Sequence, residues 1–292
     1  MSELEKIREL YKLLSPCYLC PLNCGAKRLK GEQGTCNSQV VPRISSYTLY
    51  KGEEPPVSGQ NGSGAIFFSN CNLRCVYCQN YNFSQLGKGK DVSVLELSEI
   101  MMKLQSMNAS NINLITATHF LPQSIAALRL ARQKGLSLPI VLNTSGYESL
   151  EVLRLIEGFI DIYLTDFRYA TDEEGIKYSG VPFVSTFTLS AIKEMLRQVG
   201  NITFDSKGIM KKGVIIRILV FPNGIENLRK ILRIIKKEFS TDIYISLMSQ
   251  YVPVYLAKNF PEINRKLTRL EIMESIKILR EEGFRNGWVQ YD

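Results

Sequence analysis

Three cysteines fall within eight residues, Cys71, Cys75 and Cys78, spaced C-x3-C-x2-C directly after the apolar run Ala65-Ile66-Phe67-Phe68. Three thiolates on one tight loop can hold three corners of a cubane iron–sulfur cluster, and closing an electron-transfer cluster takes a fourth ligand. No cysteine occurs anywhere after Cys78. One iron of such a cluster keeps an open position, the feature that separates catalytic metal sites from closed structural ones. Tyr77, wedged before the last cysteine, can present a flat ring to a nucleobase. The same loop without catalysis would be a structural zinc loop or a plain electron-transfer site.

Cys17, Cys20, Cys24 and Cys36 form a second group, C-x2-C-x3-C-x11-C, and the two groups account for all seven cysteines. The four can bind zinc tetrahedrally or hold a second iron–sulfur cluster with every corner filled, and the spacing leaves both open. Full ligation suits a structural or electron-relay role. The start MSELEKIRELYKLL is charged and amphipathic, unlike an export signal, and no apolar run is long enough to span a bilayer. A cytoplasmic protein with no membrane partner is therefore expected, and cysteines clustered in that compartment read as metal ligands rather than disulfides.

The elements that must position these thiols follow from periodicity. Residues 2–14 carry apolar Leu4, Ile7, Leu10, Leu13 and Leu14 at helical spacing. Residues 15–63 show no clear period and read as an irregular segment stapled by its thiols. From residue 64, short continuous apolar runs alternate with helical patterns. Strands are predicted at Ala65–Ser69, Ile112–Ala117, Pro139–Asn143, Ile160–Thr165, Val214–Phe221 and Ile243–Met248. Helices are predicted near 93–107, 123–134, 147–157, 186–199, 225–239 and 269–282. Continuous apolar strands indicate a parallel sheet covered on both faces. The expected fold is α/β, a partial parallel (β/α)6 barrel over residues 64–292 behind a cysteine-rich extension over residues 1–63. Chemistry in such barrels sits at the C-terminal strand ends, where Cys71, His119, Asn143, Asp166 and Pro222 fall.

The composition, 45% hydrophobic and 22% charged over 292 residues, is that of a globular chain. The net charge of +8 suits an acidic protein partner or a nucleic acid, but no basic run stands out and a solvated lysine-rich surface explains it as simply. Lys27, Arg28 and Lys30, and the helix carrying Arg229, Arg233, Lys236 and Lys237, are read the same way.

Cys71-Asn72-Leu73-Arg74-Cys75-Val76-Tyr77-Cys78 resembles the signature of radical S-adenosylmethionine (radical SAM) enzymes. More narrowly, Cys17-Tyr18-Leu19-Cys20-Pro21-Leu22-Asn23-Cys24, Phe67-Phe68-Ser69-Asn70-Cys71-Asn72, Thr118-His119, Asn143-Thr144-Ser145-Gly146-Tyr147 and Met248-Ser249-Gln250-Tyr251-Val252-Pro253 resemble the pyruvate formate-lyase activating enzyme-like proteins. The resemblance implies a [4Fe-4S] cluster on the three cysteines, whose open iron binds the amino and carboxylate groups of S-adenosylmethionine. One electron then cleaves the sulfonium carbon–sulfur bond, and the resulting 5′-deoxyadenosyl radical abstracts hydrogen from a substrate. That substrate would be a protein glycine or a small molecule, with electrons from a carrier such as flavodoxin or ferredoxin. An RNA-modifying radical enzyme and a non-catalytic iron–sulfur electron carrier are the alternatives.

The resemblance also implies roles at the barrel mouth. Asn143 and Ser145 match a loop that contacts the cofactor ribose, though Thr144 or Ser145 also suits a helix N-cap. Asp166-Phe167-Arg168 resembles an Asp-x-Lys near the methionine part of the cofactor, with Arg168 in place of lysine. Arg217, a charge inside an apolar strand, needs a partner, either the cofactor carboxylate or Asp166. Where activating enzymes carry a Gly-Gly-Glu-Pro-like motif, this chain has Thr116-Ala117-Thr118-His119. His119, the single histidine, is expected either as a structural residue or as a catalytic group that reaches cofactor or substrate, and Asp166 is the other catalytic candidate.

Overall fold

The computed structural model of the protein describes residues 1–290. Its helices are α1 (Glu3–Lys12), α2 (Pro55–Ser58), α3 (Tyr81–Ser84), α4 (Val94–Ser106), α5 (Leu121–Gln133), α6 (Leu150–Leu155), α7 (Asp172–Ser179), α8 (Val184–Val199), α9 (Ile225–Phe239) and α10 (Arg269–Glu281). Its strands are β1 (Arg43–Tyr50), β2 (Ser63–Phe68), β3 (Lys90–Asp91), β4 (Ile112–Ile115), β5 (Ile140–Thr144), β6 (Ile162–Asp166), β7 (Thr203–Phe204), β8 (Met210–Leu219), β9 (Tyr244–Met248) and β10 (Gly287–Gln290). All six predicted strands form, as β2, β4, β5, β6, β8 and β9. The domain expected over 64–292 runs past the described residues at 291–292.

The sheet order is β10-β9-β8-β6-β5-β4-β2-β1-β3, with β7 added beside β8. From β2 to β10 along the main path every pairing is parallel, and β1 joins antiparallel to β2. The ends do not hydrogen-bond to each other, but Tyr50 of β1 and Gln290 of β10 line one cavity. The sheet curls into the expected partial barrel.

Two differences follow from strand chemistry. β1 lies in the segment read as irregular, because only one residue of RISSYTLY is buried and its alternation is weak. β1 belongs to the same sheet as β2, so the sheet begins within the segment before residue 63. β10 adds a seventh parallel strand, and its sequence GWVQ is too polar and short to announce itself.

The outer layer packs where helical spacing predicted. α4 starts at a capping box in which Ser93 and Glu96 satisfy each other's backbone N–H, at 3.1 and 2.6 Å. α9 buries Leu228, Ile231, Leu232 and Ile235. On its outer face Arg233 lies 3.1 Å and Lys236 3.8 Å from Glu282, so part of that basic patch is paired within the chain.

The barrel interior carries the functional pattern. Val57, Val141, Ile162, Leu164 and Ile215 form a buried apolar floor. Two residues further along each strand, on the same face, stand Asn143, Asp166 and Arg217. The period of two thus turns an apolar plug into a polar mouth at the C-terminal strand ends. No helix among the described residues is long and apolar enough to cross a membrane.

Candidate radical cluster and cofactor site

The cysteine loop leaves β2 through Asn70, whose left-handed backbone (φ 70°) turns the chain over the barrel mouth. Backbone bonds hold the loop: Arg74 N–H donates to Ser179 O and Val76 N–H to Tyr178 O, both at 2.9 Å, and Leu256 N–H donates to Val76 O at 2.8 Å. Each sulfur meets a polar neighbour. Leu73 N–H lies 3.4 Å from Cys71 Sγ. Arg168 Nη1 lies 3.2 Å and the Ser179 hydroxyl 3.0 Å from Cys75 Sγ. The Ser84 hydroxyl lies 3.0 Å from Cys78 Sγ. Burial pushes the free Cys71 and Cys78 thiols above the usual range. Buried thiols ringed by donors are suited to be thiolates whose charge is met by a metal cluster. The three sulfurs therefore fit the cluster that the spacing implies.

Beside the loop is a cavity of about 230 Å³ lined by Cys71, Glu53, Asn143, Ser145, Asp166 and Arg217 among others. A second space of about 180 Å³ is bordered by all three cysteines and Tyr77. Cys71, Asp166, Arg168 and Gln250 are among the residues that line both. One guanidinium organises the first. Arg217 Nε donates to Asp166 Oδ1 at 2.8 Å, Nη2 to Asn143 Oδ1 at 2.6 Å and Nη1 to Glu53 Oε2 at 3.4 Å. Arg168 Nη2 takes the other Asp166 oxygen at 2.5 Å. Glu53 Oε1 accepts from Asn113 and Asn143 at 3.1 and 3.0 Å. Burial raises the Glu53 carboxyl above its usual range, against the pull of Arg217.

The loop after β5 comes close because Gly146 lacks a side chain. Its φ is 79°, and a Cβ there would lie 2.4 Å from Asp166 O. α6 begins only at Leu150 with Ser149 before it, so neither Thr144 nor Ser145 is its N-cap. Thr144 Oγ1 instead donates to Glu148, whose other oxygen has no partner. Ser145 lines the cavity.

Of the residues expected from sequence, Asn143, Ser145 and Arg217 line the first space, Tyr77 the second, and Asp166 and Arg168 both. Tyr77 is locked in its wall: the ring stacks on Phe221 at 6.3 Å and the hydroxyl lies 2.5 Å from that of Tyr169. His119 lies apart from both spaces. It is 2% exposed, lines neither space, and its Nε2–H donates to Ser69 O at 2.8 Å. Burial holds its pKa down at about 3, so the ring is a neutral brace behind the cysteine loop. A strand end fixes where a residue begins, not which way its side chain turns.

Glu53 and Ser179 were not foreseen. Glu53 enters from the segment after β1, and its sole sign was a pair of adjacent acids ahead of Pro55-Pro56. Arg28, read as a loop charge, is fully buried.

The four N-terminal cysteines share one neighbourhood. All seven cysteines are free; Cys17 and Cys36 are buried, Cys20 half-buried and Cys24 exposed. A Cβ on Gly34 would lie 3.3 Å from Cys24 Sγ and 3.4 Å from Cys36 Sγ. Among the described residues no three His, Cys, Asp or Glu side chains converge as ligands of a single ion.

Residues 65–204 match the model of the radical SAM superfamily. An uncharacterized protein of Methanocaldococcus jannaschii is 29% identical over 281 residues, covering 94% of this chain and 77% of that relative. The pyruvate formate-lyase-activating enzyme of Clostridium pasteurianum is 25% identical over 191 residues, covering 62% of this chain and 72% of that enzyme. Streptococcus suis SuiB, in its structure bound to precursor peptide SuiA, superposes on 76% of this chain with a TM-score of 0.51 at 11% identity, a likeness of fold. The match covers 46% of SuiB, so the chain spans about half the length of that structure. The cysteine loop, the mostly parallel curled sheet and these matches agree: the chain carries a radical SAM domain over residues 65–204.

Proposed function

We propose that the protein cleaves S-adenosylmethionine reductively and removes a hydrogen atom from a glycine of a protein substrate, in the cytoplasm. The observation that carries this reading is that Cys71, Cys75 and Cys78 border one space, and that Cys71, with Asp166 and Arg168, also lines the neighbouring cavity where Arg217, Asn143, Asp166 and Glu53 converge. The identity to a pyruvate formate-lyase-activating enzyme supports a glycine as target, and the peptide bound by SuiB is in keeping with a polypeptide substrate.

When bound, a [4Fe-4S] cluster on the three cysteines supplies one electron, and S-adenosylmethionine supplies the carbon–sulfur bond which that electron cleaves. The protein binds and orients. Arg168 and Ser179 steady Cys75, and Ser84 steadies Cys78. Arg217 and Asn143 offer donors suited to the carboxylate of S-adenosylmethionine. Glu53 offers a carboxylate for its amino group, the part that a Gly-Gly-Glu-Pro motif plays in activating enzymes. Ser145 is placed for the ribose, and Tyr77 forms the wall beside the base. Asp166 is a positioning residue, because both oxygens are engaged by guanidinium groups. Electrons come from a carrier such as flavodoxin or ferredoxin.

The test is anaerobic reconstitution with iron and sulfide, then dithionite and S-adenosylmethionine. Formation of 5′-deoxyadenosine, abolished in Cys75→Ala, is expected. An iron-loaded wild type that forms none contradicts the reading.

A further inference from the structure

The reaction uses only three of the seven thiols. The other four lie between α1 and β1, over residues 13–42, where the regular structure is a single 3-10 turn at Arg28–Lys30. Beside them is a buried cation that is unpaired among the described residues. Arg28 is 0% exposed; Nη1 lies 3.9 Å from Cys17 Sγ, Nη2 donates to Gln39 O at 2.5 Å, and Nε has no partner. Its guanidinium stands 5.6 Å from the centre of the Phe120 ring. A buried guanidinium without a countercharge is strongly unfavourable. Four neutral thiols supply none. Four thiolates on a metal centre supply a net negative charge next to it.

The same segment is strapped to the radical SAM loop on both sides of Cys71. Asn70 Nδ2 donates to Asn37 O and to Ser38 Oγ, both at 3.1 Å. Arg74 donates to Thr35 O. Thr35 and Asn37 flank Cys36, while Asn70 precedes Cys71 and Arg74 precedes Cys75. One side chain and its hydrogen bond thus link the backbone of one cysteine group to the backbone of the other. The two groups differ in access: Cys71 and Cys75 are buried, whereas Cys24 is exposed. Lys27, Leu29 and Lys30, all exposed, lie between Cys24 and Cys36 in the chain, an apolar contact among positive charges that suits an acidic carrier.

We propose that Cys17, Cys20, Cys24 and Cys36 ligate a second, fully coordinated iron–sulfur cluster, which accepts single electrons from a reduced flavin or iron–sulfur carrier protein and passes them to the Cys71–Cys75–Cys78 cluster. The carrier is oxidised by one electron, the N-terminal cluster is reduced and reoxidised, and the second cluster is reduced; no bond or proton is exchanged. The destination of the electron rests on the function proposed for that loop. The ligand set does not.

The test uses the full chain prepared anaerobically as wild type, as C71A/C75A/C78A and as C17S/C20S. About eight, four and four irons per chain are expected, without stoichiometric zinc. In C71A/C75A/C78A a reducible cluster signal remains that S-adenosylmethionine does not perturb. In C17S/C20S, 5′-deoxyadenosine formation with dithionite stays within about twofold of wild type, and with reduced flavodoxin it falls about tenfold or more. Its four retained irons show that the barrel still folds. Arg28→Met keeps the iron count and makes the potential of the S-adenosylmethionine-insensitive signal more negative, because a cation beside it is gone. Zinc or no metal in C71A/C75A/C78A overturns the cluster. An undiminished flavodoxin-driven rate, or equal losses with both reductants, overturns the relay. A wild type inert with dithionite overturns the function of the Cys71 loop instead, and leaves the iron counts to judge the second site.

Discussion

Asp166 and Arg217 are register partners on the adjacent parallel strands β6 and β8, and their side chains close to 2.8 Å at the barrel mouth. Arg217 also reaches Asn143 of β5 and Glu53 of the segment after β1. One side chain therefore ties three strands and an incoming acid into one polar surface. A buried pair of this kind adds little over an apolar substitute, yet removing one partner strands a charge.

Arg217→Met is accordingly expected to destabilise the metal-free protein by about 3–5 kcal/mol, because Asp166 and Glu53 lose their shared cation. The double substitution R217M/D166N recovers part of that loss, since the two sites are in contact. Urea unfolding of the four members of the cycle measures it. Strictly additive losses would show that the pair is not coupled.

Glu148 gives a pH signature. It is buried, accepts from Thr118 at 2.6 Å and from Thr144, and has no cation among the described residues. Burial raises its carboxyl from the usual 4.5 to about 7. The folded protein then holds a proton that the unfolded chain has released, so stability is full below about pH 4.5 and declines as pH rises through about 7. The size is about 3 kcal/mol. Glu148→Gln should remove this slope; unfolding at pH 5 and pH 8 in both proteins checks it, and identical slopes contradict it.

His119 is predicted not to shape catalysis. With its pKa held at about 3 by burial, it stays neutral wherever the enzyme works. His119→Gln loses part of the bond to Ser69, about 1–2 kcal/mol, and leaves the pH profile of 5′-deoxyadenosine formation unchanged. The stability deficit shrinks below about pH 6.5, where the unfolded wild type takes up a proton that the fold refuses. A profile whose inflection disappears in the variant would return His119 to the reaction.

What the sequence made legible follows from how each signal is written. Continuous apolar runs such as Ile112–Ile115 announced buried parallel strands, while β1, with one buried residue, did not. Cys71, Cys75 and Cys78 stand out by local spacing, and Arg217 by a charge in an apolar run. Glu53 depends on a segment folding back across the mouth, which no local pattern records. Arg28 looks like any loop arginine until its burial is seen.

Asn70 joins the two cysteine groups and tests their dependence. Asn70→Gly keeps the left-handed backbone but loses the bonds to Asn37 and Ser38; Asn70→Ala loses those bonds and strains the turn as well. The glycine variant should lose about 1–3 kcal/mol and the alanine variant about 1 kcal/mol more. Thermal unfolding of the two, with glycine the more stable, checks the order.

The central claim is that the cluster on Cys71, Cys75 and Cys78 keeps one iron open to S-adenosylmethionine. The most direct measurement is electron–nuclear double resonance on the reduced C17S/C20S protein, which retains that cluster alone, with S-adenosylmethionine labelled at its amino nitrogen and carboxylate oxygens. The account predicts hyperfine coupling from both labels to the cluster. A cluster that shows neither coupling and carries a fourth protein thiolate contradicts it.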